Sequence, residues 1–197
     1  MELRKHIYPA FLITIVLTFL LGIVYPLVLT GLSQVLFKDK AEGSLITRDG
    51  KVIGSRLIGQ SFTGAAYFHS RPSAAGTGYD ATASNGTNLG PTSSQLLETN
   101  VKNAAAAAQA DNPDSPIPVD LVTSSASGLD PHISPAAAEF QVARVAKARD
   151  MSEGEVRRLV REHTEGRDLG ILGEPRVNVL ELNLALDGEH PFDKIQK

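Results

Sequence analysis

The sequence predicts a mixed α/β domain that follows a single transmembrane helix. An apolar segment near the N-terminus, from Ile7 to Phe37, contains no charged residue over 31 positions. Beyond this segment, some stretches space their hydrophobic residues with the helical period of 3.6 and others with the strand period of 2. The sequence shows no internal repeats. We therefore expect a short head at residues 1–9, a transmembrane helix at 10–32 and a mixed α/β domain at 38–197. A domain of that size buries a core without disulfides.

The apolar segment has the length that an α-helix needs to cross about 30 Å of hydrocarbon. Tyr8 and Tyr25 suit the two interfaces of a bilayer. Pro9 suits a helix start, and Pro26 should kink or end the helix. A cleaved signal peptide would have an apolar region of about 7–15 residues followed by small residues of A-x-A type. The longer segment here favours a retained anchor.

Charge alone does not decide how this anchor is oriented. Arg4 and Lys5 precede it, but four basic residues follow it closely: Lys38, Lys40, Arg48 and Lys51. The short head and long tail are typical of an uncleaved signal anchor whose tail is exported.

Composition excludes several classes of protein. The chain has no cysteine, which excludes disulfides, a thiol nucleophile and a cysteine-based zinc site. Its formal net charge is −3, and it has no cluster of basic residues beside aromatic ones, which argues against binding of nucleic acid.

The first half of the tail predicts a hairpin, an irregular segment and a helix. Residues 45–59 hold Asp49-Gly50 between two β-prone runs, which indicates a tight hairpin turn. Residues 67–93 are rich in Gly, Ser, Thr, Asn and Pro and have little periodicity, so we expect a long, ordered, irregular segment. Residues 92–95 form a capping-box pattern that predicts the start of a helix. The apolar face of this helix would consist of Leu97, Val101, Ala104, Ala105 and Ala108.

The second half predicts two more helices between two strands. Residues 118–123 form a short strand candidate. Ser134 followed by Pro135 and three alanines is typical of a capped helix start, and residues 152–155 form a second capping box. In residues 179–186 every second residue is leucine, which predicts a half-buried strand.

The stretch SGLDPHISPAAA, residues 127–138, allows two interpretations. Asp130, His132 and Ser134 are the three side-chain types of a hydrolase triad, but positions two apart on one loop are hard to arrange as a triad. Ser134 as a helix cap and Pro131 in a preceding turn explain more of the residues. A scaffold turn is therefore favoured, and an anchored hydrolase that uses these three residues is the alternative.

Two further patterns carry little chemistry. The histidines His69, His132, His163 and His190, with Asp80 or Asp130, could form a metal site, but none has the spacing of a known zinc motif. Residues 86–92 precede a helix as a phosphate loop does, but they lack the lysine, and Pro91 removes a backbone donor.

Three blocks are more specific than any of their residues singly: YFHSRPSAAGTGYDATASNGTNLGPTS, PVDLVTSSASGLDPHISPAAAEFQVARVAKAR and LGEPRVNVLELNLALD. Together with the anchor they closely resemble, in order and over nearly the whole chain, the C subunit of the Kdp potassium-transporting P-type ATPase of bacteria (the KdpC family). The resemblance implies an accessory subunit of a high-affinity, ATP-driven potassium uptake complex, without an active site of its own. It also implies a single-pass protein of the inner membrane, with its N-terminus in the cytoplasm and most of the chain outside.

The family also implies partners and a role. The partners are a channel-like subunit that selects potassium, a P-type pump subunit that hydrolyses ATP, and a small single-helix subunit, all within the lipid bilayer. The C subunit is described as a catalytic chaperone that raises the ATP affinity of the pump subunit. We expect no cofactor on this chain, with ATP and Mg²⁺ at the pump subunit, and contact between ATP and this chain stays open. Four side chains of the irregular segment are candidates to face a partner, although their hydrogen bonds could equally be internal: His69, Arg71, Asp80 and Asn88.

Overall fold

A computed structural model describes residues 3–189 and divides the chain into two compact units, with the boundary between Leu45 and Ile46. The fold class is the predicted one, because helices and small sheets alternate after one N-terminal apolar helix.

The first unit is dominated by a long apolar helix. Helix α1 (Leu3–Phe19), a π-helical turn (Leu20–Val24) and helix α2 (Tyr25–Leu36) follow one another without a break. The stretch Lys5–Leu36, 32 residues, is long and apolar enough to cross a membrane. A short helix, α3 (Lys38–Ala41), comes next.

Both prolines lie within this long helix, so Pro9 does not mark its start and Pro26 does not end it. The ring of a proline clashes with the carbonyl four residues earlier and supplies no N–H. The π-helical turn directly before Pro26 adapts the backbone to this loss, with the Tyr25 N–H bonded to the carbonyl of Leu20. A proline thus removes one hydrogen bond without ending the helix.

The hairpin prediction is confirmed. Strands β1 (Leu45–Arg48) and β2 (Lys51–Ser55) form a two-stranded sheet. Asp49 and Gly50 between them have φ angles of 52° and 74°, the positive values that a two-residue hairpin turn requires.

Residues 67–93 are irregular, as predicted, but they are packed against the rest of the domain. Phe68 and Ala75 are fully buried. Gly128 has a φ of 67°, and a Cβ there would come within 2.6 Å of the Asn85 carbonyl oxygen and 2.7 Å of the Ala75 nitrogen. Only glycine permits this close approach between residues 67–93 and the turn before β3.

The next helix is confirmed, but its cap differs from the predicted one. A π-helical segment (Gln95–Val101) continues into helix α4 (Lys102–Asp111). Ser94 has helical backbone angles and makes no side-chain cap bond, whereas the Ser93 hydroxyl accepts from the Leu96 N–H at 3.4 Å. The side-chain cap is therefore Ser93, one residue later than the Thr92 of the predicted capping box.

The strand predicted at residues 118–123 is wrong. Val119–Leu121 form a single 3₁₀ turn. Pro118 has no N–H to donate to a strand partner. The Asp120 carboxylate binds the backbone N–H and the hydroxyl of Ser134, which favours a turn that points this side chain inward.

Both predicted helices of the second half are confirmed at their caps. Strand β3 (His132–Ile133) leads into helix α5 (Pro135–Arg149), where the Ser134 hydroxyl accepts from the Ala137 N–H at 3.0 Å. Helix α6 (Glu153–Glu162) begins with a complete capping box between Ser152 and Glu155.

The strand predicted at residues 179–186 is wrong as well. Strands β4 (Thr164–Glu165) and β5 (Arg176–Asn178) form a sheet in the order β3-β5-β4, antiparallel throughout. The chain then turns into helix α7 (Val179–Glu189). The Asn178 side chain accepts from the Glu181 N–H at 3.2 Å and so caps this helix. Four of the five residues it buries follow the helical spacing i, i+3, i+4, i+7, namely Val179, Leu182, Asn183 and Leu186, and Leu180 is the fifth.

The core of the second unit lies between α5, α6, α7 and β5. Its buried side chains come from all four elements, from Phe68 of the irregular segment, from Leu121 and from Ile133 of β3; they include Phe140, Val142, Val145, Leu159, Val177, Leu182 and Leu186. The sheet and the helix starts around this core position the polar residues described next.

Candidate functional site

A cleft of about 500 Å³ lies where the irregular segment meets the starts of β3 and α5. Arg71 comes from the irregular segment, Asp120 from the 3₁₀ turn, and Asp130 and His132 from the approach to β3 and from β3 itself. Arg176 of β5 closes the other side. This cleft is the candidate functional site because it gathers both signs of charge in one concavity.

Arg71 connects three segments that are distant in the sequence. Its Nη1 donates to Asp130 Oδ2 at 3.1 Å, and its Nε and Nη2 donate to the carbonyl and hydroxyl oxygens of Thr123 at 3.3 and 3.4 Å. The Tyr79 hydroxyl donates to the Arg71 carbonyl at 2.9 Å. The predicted candidate Arg71 therefore holds the wall of the cleft through internal hydrogen bonds.

Asp130 is the shared acceptor of this cleft. Besides Arg71, it accepts from the His132 backbone N–H at 3.0 Å, and its Oδ1 lies 3.4 Å from His132 Nδ1. Burial disfavours the charged carboxylate, but the hydrogen bonds from His132 and the charge of Arg71 outweigh it, so the pKa of Asp130 is lowered. The carboxylate is thus held ionised as a structural anion.

Ser134 does not continue a relay from Asp130 and His132. Its hydroxyl donates to Asp120 Oδ1 at 3.1 Å and accepts from the Ala137 N–H at 3.0 Å. Both interactions belong to the helix cap, which leaves the hydroxyl engaged away from the imidazole. The predicted helix cap is confirmed, and the three residues form a cap next to an ion-pair network.

The other three partner-facing candidates lie elsewhere on the domain. Asp80 Oδ1 accepts from the N–H and the hydroxyl of Thr82 at 2.9 and 2.7 Å, and these bonds lower its pKa. Asn88, with a φ of 54°, donates from Nδ2 to Asn85 Oδ1 at 3.0 Å on the exposed surface. Neither lines the cleft around Arg71.

His69 lies in a second cleft, of about 350 Å³, between the irregular segment and α4. Its Nε2 donates to the Gly64 carbonyl at 3.1 Å, and its Nδ1 lies 3.9 Å from Asp111 Oδ2. Burial, and then the nearby charge of Arg144, lower the pKa of His69, with smaller opposing contributions from Gly64 and Asp111. Arg71 contacts both clefts and is the only predicted candidate residue that does so.

The described residues do not bring together the ligands of the hypothetical metal site. Within residues 3–189, no three potential metal ligands of the His, Cys, Asp and Glu types lie together. His163 binds the Leu159 carbonyl through Nδ1 at 2.9 Å, as a helix-end residue does. His190, the fourth histidine considered, lies outside the described residues.

The segment 86–92 is a poor match for a phosphate. In the following helix the Ser93 hydroxyl takes up the Leu96 N–H at 3.4 Å, and the Leu97 N–H makes the ordinary helical bond to the Ser93 carbonyl at 3.1 Å. Glu98 lies in the first helical turn, where its negative charge opposes that of a phosphate. Both features make this helix start unfavourable for a phosphate.

A buried polar network that the sequence did not predict lies beneath the irregular segment. Gln141 and Asn183 bind the backbone of His69 and Phe68 through their side-chain amides, and Arg149 is fully buried. A helical reading of residues 179–186 would have placed Asn183 on the apolar face of α7, where an amide needs a buried partner.

Comparisons with known proteins agree with one another. Residues 7–188 match the family model described as KdpC, the c chain of K⁺-transporting ATPases. The potassium-transporting ATPase KdpC subunit of Koribacter versatilis is 62% identical over 190 residues, which covers 96% of this chain and 98% of that protein. The corresponding subunits of Acidobacterium capsulatum and Rhodospirillum rubrum are 56% and 57% identical over 186 and 190 residues, covering 94% and 95% of this chain and 100% and 98% of those proteins.

Proposed function

Because the chain belongs to the KdpC family, the c chain of K⁺-transporting ATPases, we propose that it serves the potassium pump as a membrane-anchored accessory subunit without catalysis of its own. The observation that carries this proposal is the match along nearly the whole chain to subunits with that name. The engagement of the Ser134 hydroxyl by Asp120 and Ala137 supports the non-catalytic part.

The proposed assembly follows the family. The apolar helix Lys5–Leu36 anchors the chain in the bacterial inner membrane, with the short N-terminal head in the cytoplasm and the second unit outside. The partners are the channel-like subunit, the ATP-hydrolysing pump subunit and the small single-helix subunit. In this arrangement the chain stabilises the assembled complex.

The proposed influence on ATP is indirect. ATP and Mg²⁺ bind the pump subunit, whose nucleotide pocket faces the cytoplasm, whereas most of this chain lies on the other side. This chain can then change the ATP affinity of the pump subunit only if it binds two conformational states of the complex with different affinities. The coupling between the two sites would pass through its helix or through the channel-like subunit. The cap on the Leu96 N–H and the negative charge of Glu98 in the first helical turn support this indirect route over direct nucleotide binding.

Two measurements test the proposal. Removal of this chain should abolish potassium-stimulated ATPase activity in the purified complex, whereas His132→Ala in the assembled complex should leave it within about tenfold of wild type, the scale expected when no acid–base group is lost. Titration of ATP with Mg²⁺ into the full-length chain in detergent should give no saturable heat.

Two results would contradict it. Saturable ATP binding that Asn88→Ala or Thr92→Ala abolishes would indicate direct nucleotide contact. Loss of activity by several orders of magnitude in a fully assembled His132→Ala complex would favour the hydrolase alternative with Asp130, His132 and Ser134.

A further inference from the structure

The turn between β4 and β5 carries three large apolar side chains into solvent. Leu169 is 88% exposed, Ile171 76% and Leu172 56%. We call these three residues the apolar tip. A single exposed aliphatic side chain on a protein surface is ordinary, but three neighbouring ones on one turn form a local apolar patch of the kind found at interaction sites.

The backbone of the tip is tightly constrained. Asp168 and Leu172 exchange two backbone hydrogen bonds of 2.9 Å, and the Gly170 N–H donates to the Arg167 carbonyl at 3.0 Å. Leu169 has a φ of 54°, a conformation that is uncommon for residues other than glycine, asparagine and aspartate. A turn selected only for its shape would place one of those residues there, so a leucine indicates that its side chain is needed.

Ion pairs surround the base of the tip. Arg167 lies 2.8 Å from Glu174, and Arg176 lies 2.9 Å from Glu165 and 3.4 Å from Asp168. Both guanidinium groups are thus neutralised within the turn, and three carboxylates outnumber them. Loops and helices that bind anionic lipid surfaces depend on a surplus of basic residues. This charge pattern favours a protein surface over a lipid surface as the partner of the tip.

We propose that the apolar tip inserts into an apolar socket on another subunit of the potassium-transporting ATPase. The proposal rests on the proposed function as an accessory subunit and names a surface by which this chain holds its partners. A constrained turn loses little conformational entropy on binding. The ring of ion pairs would form the polar rim that commonly surrounds an apolar interface centre.

The absence of cysteine from the chain permits a direct test. Ile171→Cys is introduced into the full-length chain within the assembled complex, labelled with a thiol-reactive benzophenone and irradiated in native membranes. The matched control is Leu57→Cys, because Leu57 is also an exposed leucine in a turn, at 63%. We expect a cross-linked product with the mass of this chain plus a partner subunit from the Ile171→Cys protein and not from the control.

A second variant measures the contribution to assembly. Leu169→Ser combined with Ile171→Ser removes apolar surface that makes few contacts within the chain, so folding should be kept. If the tip is a binding hot spot, the recovery of partner subunits on the tagged chain should fall by about tenfold or more. Leu57→Ser should leave that recovery unchanged.

Several results would overturn the proposal. These are a cross-link to lipid alone, a cross-link between two copies of this chain, or unchanged recovery of partners by the double variant. In each case wild-type recovery of the partner subunits shows that the accessory role still holds. If the wild-type chain itself recovers no partner, the proposed function fails and this proposal fails with it.

Discussion

At the scale of single residues, the buried Arg149 contacts three segments that are distant in the sequence. Its Nε donates to the Ala66 carbonyl at 2.6 Å, its Nη2 lies 2.8 Å from Asp187 Oδ1, and its guanidinium carbon lies 4.7 Å from the centre of the Tyr67 ring. One side chain at the end of α5 thus connects the start of the irregular segment to α7.

Arg149→Ala should lower the free energy of unfolding by about 3–5 kcal/mol, because it leaves a partly buried carboxylate without its counter-charge. Chemical denaturation of the full-length chain in detergent, followed by the near-ultraviolet circular dichroism of its tyrosines, would measure this. The control is Arg157→Ala, whose ion pairs with Glu139 and Glu153 are solvent-exposed and should matter little. Equal losses of unfolding free energy in the two variants would contradict the expectation that the buried ion pair of Arg149 stabilises the fold more than an exposed one.

His69 should make stability depend on pH in a defined direction. Its pKa is lowered from 6.5 in the folded chain, mainly by burial and then by the charge of Arg144. Below pH 6.5 the unfolded chain therefore binds a proton more readily than the folded chain, and acidification favours unfolding. The stability from this group is complete above pH 6.5 and is lost as the pH falls from there through the lowered folded pKa.

The measurement is the thermal midpoint of the wild type and of His69→Gln from pH 7.5 downwards to pH 5. The midpoint of the wild type should fall more steeply with acidification than that of the variant, since other titrating groups contribute equally to both. Parallel pH profiles would contradict the assignment.

At the scale of elements, local chemistry predicted some of the chain and tertiary packing decided the rest. The starts of α5 and α6 depend on Ser134 and Ser152, whose caps act within four residues and can be recognised from sequence. The alternating leucines of residues 179–186 are compatible with a strand until one knows that Asn183 binds Phe68, 115 residues away. Because the residue that binds Asn183 is distant in the sequence, the alternation of leucines alone predicted a strand where the chain forms a helix.

The cap of α5 makes a prediction at this scale. Ser134→Ala should cost about 0.5–2 kcal/mol of stability by removing the acceptor for the Ala137 N–H. Ser152→Ala is the matched comparison, because its hydroxyl caps α6 at an exposed position. The Ser134 change should cost more, since its hydrogen bond to Asp120 is partly buried whereas the one from Ser152 to Glu155 is exposed. A larger loss from Ser152→Ala would contradict this order.

At the scale of the whole molecule, the proposed topology predicts where a thiol reagent can reach. Ala106 is exposed on α4, so Ala106→Cys should react with a membrane-impermeant maleimide in intact cells. Lys5→Cys in the N-terminal head should react only after permeabilisation. The reverse pattern, with Ala106→Cys labelled only after lysis, would place the second unit in the cytoplasm.

The candidate site illustrates why its assembly could not be predicted in full. Arg71 was identified from its place in a polar segment, but its partners Thr123 and Asp130 are 52 and 59 residues away. Nothing in the local sequence of either segment indicates that Arg71 contacts Thr123 and Asp130. Arg71 and the segment with Asp130 and His132 could each be singled out from the sequence, but their contact depends on the fold.

The pair formed by Phe68 and Asn183 also has a consequence for biosynthesis. The Asn183 side chain accepts from the Phe68 N–H at 2.8 Å and donates to the Phe68 carbonyl at 3.0 Å. A ribosome makes Phe68 long before it makes Asn183, and closing a loop of that length has an entropic cost that slows folding. The buried phenylalanine of the irregular segment therefore has no native partner in α7 while the intervening chain is being synthesised. In a chain released before residue 179, the Phe68 ring would lack the part of its packing site that α7 supplies. Such a fragment should be degraded or aggregate rather than persist as a partly folded domain.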